Sequence, residues 1–440
     1  MRFHLSGLVV FLLIILTACG LKGEQNVPTP GQLKPGASVT FPSSNEEVEN
    51  QGNQIWIMSF YDLGEEFRKQ IRKQFSHLEV EFSVTPLING IETYRQTYNS
   101  DKVPDIFIMD SSSLGSFNDS NTFENLSMEP YHAEAIIELY PDNLKKPLRS
   151  LDKMRLLALP VYTSPAVTFY RYDILKEAGF PAEPEALAAF MEDSNNWLNM
   201  AKTLKEQGYY INAWVGEPSF YLEYAMGMFD DQMNYLRNTM KVREIMELAR
   251  ETMKLELASN SNIFELSELN SITLGKTVML HSGLLYENIL KEVGSNTAGN
   301  WRITTMPFGL YGLSGHAVAA ISSNSNHKTK AWSVLKWMAE ADKNKLMDIT
   351  NEVALDSEDN FYGGQHIAPL LHRIIERFPG YQLTPVDERA KTIWWRIWYE
   401  SMADSNISTE VLLNNIEEAV NKELNEEITL TREFLKQQPD

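Results

Sequence analysis

The residues best suited to chemistry are Asp110-Ser111-Ser112-Ser113, which directly follow the apolar run Ile106-Phe107-Ile108-Met109. A short continuous apolar run reads as a strand covered on both faces, so the carboxylate and hydroxyls stand just past its carboxyl end. In open α/β sheets, ligands bind beyond that end. A carboxylate beside hydroxyls can fix sugar hydroxyls through paired hydrogen bonds. Asp and Ser are also favoured helix caps, and one residue can do both. Tyr61, in Phe60-Tyr61-Asp62, occupies the equivalent end of the neighbouring strand at Ile55–Met58.

Aromatic rings are the second resource, because they present flat apolar faces and, in Trp and Tyr, a polar handle. Trp394 and Trp398 are four apart and share one helical face, while Trp395 and Tyr399 share the neighbouring one. Trp56, in an apolar strand, and Trp332, in an amphipathic helix, read as core.

Other chemistries lack their motifs. There is no G-x-G-x-x-G, H-E-x-x-H or G-x-S-x-G. Gly275-Lys276-Thr277 resembles the tail of a P-loop, but Asn270 stands where the first glycine is required. The histidines are scattered, and His366 and His372 are not spaced to share a helical face. No metal site and no cofactor are expected. Carboxylates are abundant, so an acid/base pair stays open, yet nothing speaks positively for an enzyme.

The elements that must position these residues follow from periodicity. Ile55–Met58 reads as a strand, and Phe67, Ile71 and Phe75 as the apolar stripe of a helix. Leu78–Phe82 alternates as a second strand, a helical stretch runs to Tyr98, and Ile106–Met109 is a third strand. That alternation predicts an α/β fold with a parallel sheet. Further strands are expected at Leu159–Tyr162, Ala166–Tyr170, Gly275–Leu280 and Ala317–Ile321. Helices are expected from Asn196, over Ala331–Met338 and over Val411–Ile428, the last with Leu412, Ile416, Val420, Leu424 and Ile428 as a core stripe.

Of 440 residues, 39 are basic and 59 acidic, a formal charge of −20. That excess repels a phosphate backbone and argues against nucleic-acid binding. The single cysteine excludes a disulfide framework and cysteine-rich zinc sites. Its position is informative. Arg2 and His4 precede an apolar run from Leu5 to Leu16, which reads as a secretory signal over 1–18 and is too short to span a bilayer. Leu16-Thr17-Ala18-Cys19 resembles the lipobox of bacterial lipoproteins, whose cysteine is diacylated and becomes the new N-terminus. Residues 19–52, rich in Gly, Pro, Ser, Asn, Gln and Glu, read as a lipid anchor and flexible tether.

Five stretches together resemble one family, the extracellular solute-binding proteins of ABC importers, in the group with carbohydrate binders. They are Pro104–Phe107 with Asp110-Ser111, Leu159–Val161 with Phe169–Phe180, Asn196–Tyr209, Gly275–Met279 with Gly283, and Lys328–Met338. Two departures stand out: Arg171 replaces the usual Asn after the hinge tyrosine, and residues 181–194 look like an insertion.

The resemblance implies two α/β lobes joined by a hinge, with ligand held in the cleft between them. By that analogy the first lobe takes 54–160 plus 312–345, and the second 161–311 plus 346–440. Trp214, Tyr286, Trp301, Trp394 and Trp395 would then face the cleft from the second lobe, and Tyr162 would lie in the hinge. The implied protein is a monomer, lipid-anchored on the extracellular face of the cell membrane. It would deliver a saccharide or oligosaccharide to a membrane permease and break no bond. A cationic solute such as a polyamine, a polysaccharide-processing enzyme and a sensory lipoprotein remain alternatives.

Overall fold

The computed structural model describes residues 52–60, 62–85, 90–118, 121–259, 266–350 and 360–438. Tyr61, Cys19, the signal and nearly all of the tether lie outside the described residues. Strand β1 (Gln54–Ser59) pairs in parallel with β2 (Glu79–Val84) on one side and β3 (Ile106–Asp110) on the other. Helices Gly64–Gln74 and Gly90–Tyr98 make the two crossovers. β1 is buried from Ile55 onward because neighbours flank it and both its faces are covered. The first helix carries Glu65 and Glu66 in its first turn and Arg72 and Lys73 in its last, which complements the helix dipole.

Asp105 ties this region together. Its buried carboxylate accepts from the backbone N–H of Trp56 at 2.9 Å and from the Ser325 hydroxyl, and His327 Nδ1 lies 3.2 Å away. The aspartate of the Pro104–Phe107 motif therefore orients strands rather than ligand.

The seven strands run in the order β2-β1-β3-β7-β4-β5, with β6 also on β4. β4 (Leu159–Arg171) decides the architecture. Its first half pairs with β7 (Leu313–Ile321), and its second half pairs with β5 (Met279–Gly283) and β6 (Trp301–Thr304). Where the sequence suggested two short strands, one strand of 13 residues runs through both sheets. Its register slips between Pro160 and Tyr162 and between Ser164 and Pro165, where bulges bend the strand and a proline withholds its donor.

Two lobes result, each with a hydrophobic core. One core gathers β1, β3, β7 and helix Lys328–Thr350; the other gathers Trp197, Trp394, Trp398 and the C-terminal stripe. Side chains alternate along β4, so Val167 and Phe169 enter the first core, and Ala166 and Tyr170 the second. Phe361 to Leu383, grouped with the second lobe on sequence grounds, bury most of their apolar side chains in the cluster that holds β1, β3 and β7 and that also takes in Trp301 and Ile303 of β6. The reason is helix Ala368–Arg377, whose Leu370, Leu371, Ile374 and Ile375 are buried as it packs along helix Lys328–Thr350.

The stripe at Leu412, Ile416, Val420, Leu424 and Ile428 is buried throughout. It is carried by two helices, Thr409–Glu423 and Asn425–Lys436, because Leu424 leaves helical geometry at φ −113° and ψ 16°. Arg171 makes a two-pronged contact with Asp173, at 2.8 and 2.6 Å, and lies over the ring of Trp301. Among the described residues, no helix is long and apolar enough to cross a membrane.

Candidate functional site

The site begins at the carboxyl end of β3. Asp110 is extended, at φ −66° and ψ 140°, and its Oδ1 accepts from the backbone N–H of Ser112 at 3.0 Å. It thus caps the turn Ser111–Leu114, and Asp110, Ser111 and Ser112 are all half-buried. Asp110 pairs in register with Ala317 of β7, and Ala317 also pairs with Tyr162 of β4. Directly opposed residues project to the same side of a sheet, so a carboxylate and a phenol flank one methyl group. Burial, offset in part by the hydroxyl of Ser164, raises the Tyr162 pKa.

The segment that leads into helix Asp387–Ser401 comes close at this point. A Cβ on Gly115 would meet the Thr384 carbonyl oxygen at 2.6 Å, and Asn118 Nδ2 donates to the Leu383 carbonyl at 2.6 Å. Beyond this contact, helix Asp387–Ser401 presents three faces. Ala390, Ile393, Trp394 and Trp398 are buried, and Arg389, Thr392, Arg396 and Glu400 are exposed. Glu388, Lys391, Trp395 and Tyr399 form a half-buried stripe between them, at helical spacing.

Helix Glu217–Ala225 carries a matching stripe of Phe220, Glu223 and Tyr224. Phe220 meets Trp395 at 6.1 Å and Trp214 at 6.4 Å, and Trp395 stacks on Tyr399 at 5.0 Å with planes 18° apart. The helix ends hard against the hinge: a Cβ on Gly312 would collide with the Tyr224 carbonyl, so glycine is required there.

The stripes also meet through charge. Lys391 Nζ lies 3.3 Å from Glu223 Oε2 and 3.7 Å from Glu388 Oε1. The other oxygen of Glu223 is bound by Arg237 at 2.9 Å. Burial opposes ionisation of Lys391, but Glu223, Glu388 and Asp110 more than offset it and raise its pKa. Burial likewise opposes the Glu223 carboxylate, and Arg237 and Lys391 bring its pKa below the usual value. For Glu388 burial wins over Lys391, and the neighbouring carboxylates Asp110 and Glu223 add to the rise. Asp110 is the member of this group that β3 supplies.

Three expected cleft aromatics are core residues instead. Trp301 is 1% exposed, stacks on Phe361 and donates from Nε1 to Thr297. Tyr286 is buried in the first core. Trp394 is fully buried, lies parallel to Trp398 and supports the Arg237 guanidinium over its ring. Each is a large ring on the inner face of its element, where burial outweighs any role at the boundary. Trp56 is buried and Trp332 packs against the first core, so both sit as read from sequence.

The structure keeps Asp110, Ser111 and Ser112 half-buried at the end of β3 and brings Trp214 and Trp395 to either side of Phe220. Sequence reading missed Phe220, Glu223, Tyr224, Glu388 and Lys391, and also Tyr381, whose ring lies against Gly227. The spacing 388, 391, 395, 399 was a usable signal, whereas helix Glu217–Ala225 is so widely buried that its stripe is masked. Among the described residues, no group of three or more His, Cys, Asp or Glu could hold a metal ion. The arrangement can bind a polar solute against flat apolar faces.

Two lobes built on a shared strand, with a polar strand end facing an aromatic helix pair, define a two-lobe periplasmic-binding-protein fold. The chain belongs to the bacterial extracellular solute-binding protein family, whose model matches residues 59–345. Solved structures agree in fold. The ABC-transporter-associated binding protein of Bifidobacterium animalis subsp. lactis, in complex with β-1,6-galactobiose, is 16% identical, with a TM-score of 0.66 over 85% of this chain and 98% of that one. The galacto-N-biose/lacto-N-biose I-binding protein of Bifidobacterium longum is 15% identical, with a TM-score of 0.68 over 86% and 98%. The sugar-binding protein MalE of Xanthomonas citri is 17% identical, with a TM-score of 0.63 over 88% and 100%. No curated protein matches the sequence.

Proposed function

We propose that this protein is the lipid-anchored solute-binding component of an ABC importer, and that its solute is a saccharide or oligosaccharide. The observation that supports this reading is that helix Asp387–Ser401, which carries Trp395 and Tyr399 of the Trp214–Phe220–Trp395–Tyr399 row, packs on the turn Ser111–Leu114 that Asp110 caps. Hydroxyls and a carboxylate satisfy a sugar's edge, and aromatic faces cover its C–H faces. The binding partners named for structures of the same fold, a galactobiose and lacto-N-biose, support the choice of ligand class.

Contacts from both lobes favour the closed state, so ligand shifts the lobes toward closure around β4 and β7. Acylated Cys19 and the tether keep the protein at the extracellular face of the membrane, where a permease reads the closed form. The protein is monomeric and breaks no bond. Tyr162, half-buried on the hinge strand, completes the ligand contacts.

A panel of mono- and oligosaccharides tests the reading through intrinsic tryptophan fluorescence and melting temperature. A matching sugar changes the fluorescence reversibly and raises the melting temperature with concentration. A panel that moves neither signal overturns the ligand class, and reducing-end turnover overturns the non-enzymatic role.

A further inference from the structure

We propose that Lys391 is a built-in counter-cation that turns amine-bearing solutes away from this cleft, its ammonium filling the place among Glu223, Glu388 and Asp110 that a ligand's ammonium would take. The inference rests on the reading that the cleft is a saccharide site.

The surroundings are those of a cation site. Carboxylates attract an ammonium, and so do the faces of aromatic rings, here supplied nearby by Phe220 and Trp395. Lys391 already occupies the centre, 3.3 Å from Glu223 and 3.7 Å from Glu388, and within electrostatic reach of Asp110 and Tyr381.

The two cations of the cluster differ in kind. Arg237 is 2% exposed, donates to the carbonyls of Gly227, Leu222 and Met226, and lies over Trp394. It is part of the core and compensates Glu223 whatever the cleft contains. The Lys391 side chain is 34% exposed on a flexible stem, on the same helical stripe as Trp395. A second ammonium arriving there meets a like charge and finds its acceptors taken, which is selection by repulsion. A neutral polyol meets no such penalty.

The test measures binding of spermidine, glucosamine and a neutral saccharide panel to the full folded domain, by calorimetry, for wild type, Lys391→Met, Lys391→Gln and Lys391→Arg. Wild type and Lys391→Arg should take neither spermidine nor the ammonium of glucosamine. Lys391→Met should bind spermidine at least about tenfold more tightly than wild type, as expected when a facing charge is exchanged. Lys391→Gln, which can still donate to Glu223, serves if the methionine variant does not fold. A folded Lys391→Met or Lys391→Gln protein with unchanged amine affinity overturns the inference, as does tight spermidine binding by wild type. If no neutral saccharide binds wild type, the saccharide reading fails, while the amine comparison still decides the role of Lys391.

Discussion

Asp110 and Tyr162 pair in register with the same residue, Ala317, from the strands on either side of it. A carboxylate and a phenol therefore flank one buried methyl group on the same side of the sheet. Asp110→Ala should weaken saccharide binding by about 2 kcal/mol, the scale of a hydrogen bond to a charged group. It should also cost about 1 kcal/mol of stability through loss of the Ser112 cap. Calorimetry against chemical denaturation separates the two losses. Unchanged affinity would remove Asp110 from the site.

Adjacent tryptophans should answer differently to the same substitution. Trp395→Ala removes a half-buried ring from the row with Phe220 and Tyr399, and is expected to reduce ligand affinity with a modest stability loss. Trp394→Ala empties a fully buried position and should destabilise the fold by about 3–5 kcal/mol. Equal effects of the two on denaturation midpoints would contradict the facing of helix Asp387–Ser401.

Acid should destabilise the protein through His281. Burial, only partly offset by the hydrogen bond to the Ile211 carbonyl, pushes its pKa down from 6.5 to about 3. The unfolded chain then takes up the proton first. The neutral imidazole's contribution is complete above about pH 6.5 and is lost as the pH falls toward 3, by up to about 1.4 kcal/mol per pH unit. Buried His316, also shifted downward, adds in the same direction. The denaturation free energy should therefore fall between pH 7 and 4.5, and His281→Gln should flatten that slope while lowering stability at neutral pH.

The anchoring proposed for this protein rests on one thiol, that of Cys19. Cys19→Ser should release the protein from the membrane fraction into the medium with its ligand affinity intact. Two acyl chains hold a protein stably where one does not, so the wild type should stay with the membrane. A serine variant still sedimenting with membranes would point to a different anchor.

Much of the first lobe was legible in the sequence because its signals are local. Ile55–Met58 and Ile106–Met109 are unbroken apolar runs, and both became inner strands flanked on each side. Asp110 was legible as the end of β3 and as a cap, because a polar cluster after such a run has few places to go. The C-terminal half was harder to read. Trp394 and Trp395 look alike as neighbours on a helix, and only the packing of Trp394 on Trp398 and Arg237 assigns one to the core and the other to the boundary.

By itself the sequence determined the α/β alternation, the strand ends and the helical stripes, because periodicity is imposed residue by residue. Tertiary structure alone decided that β4 is continuous through both sheets and that Phe361–Leu383 join the first core. It alone also set Lys391 between Glu223 and Glu388, with Asp110 of the other lobe nearby. Lys391 stands more than a hundred residues from both Glu223 and Asp110, and only the packing of complete elements brings such positions together.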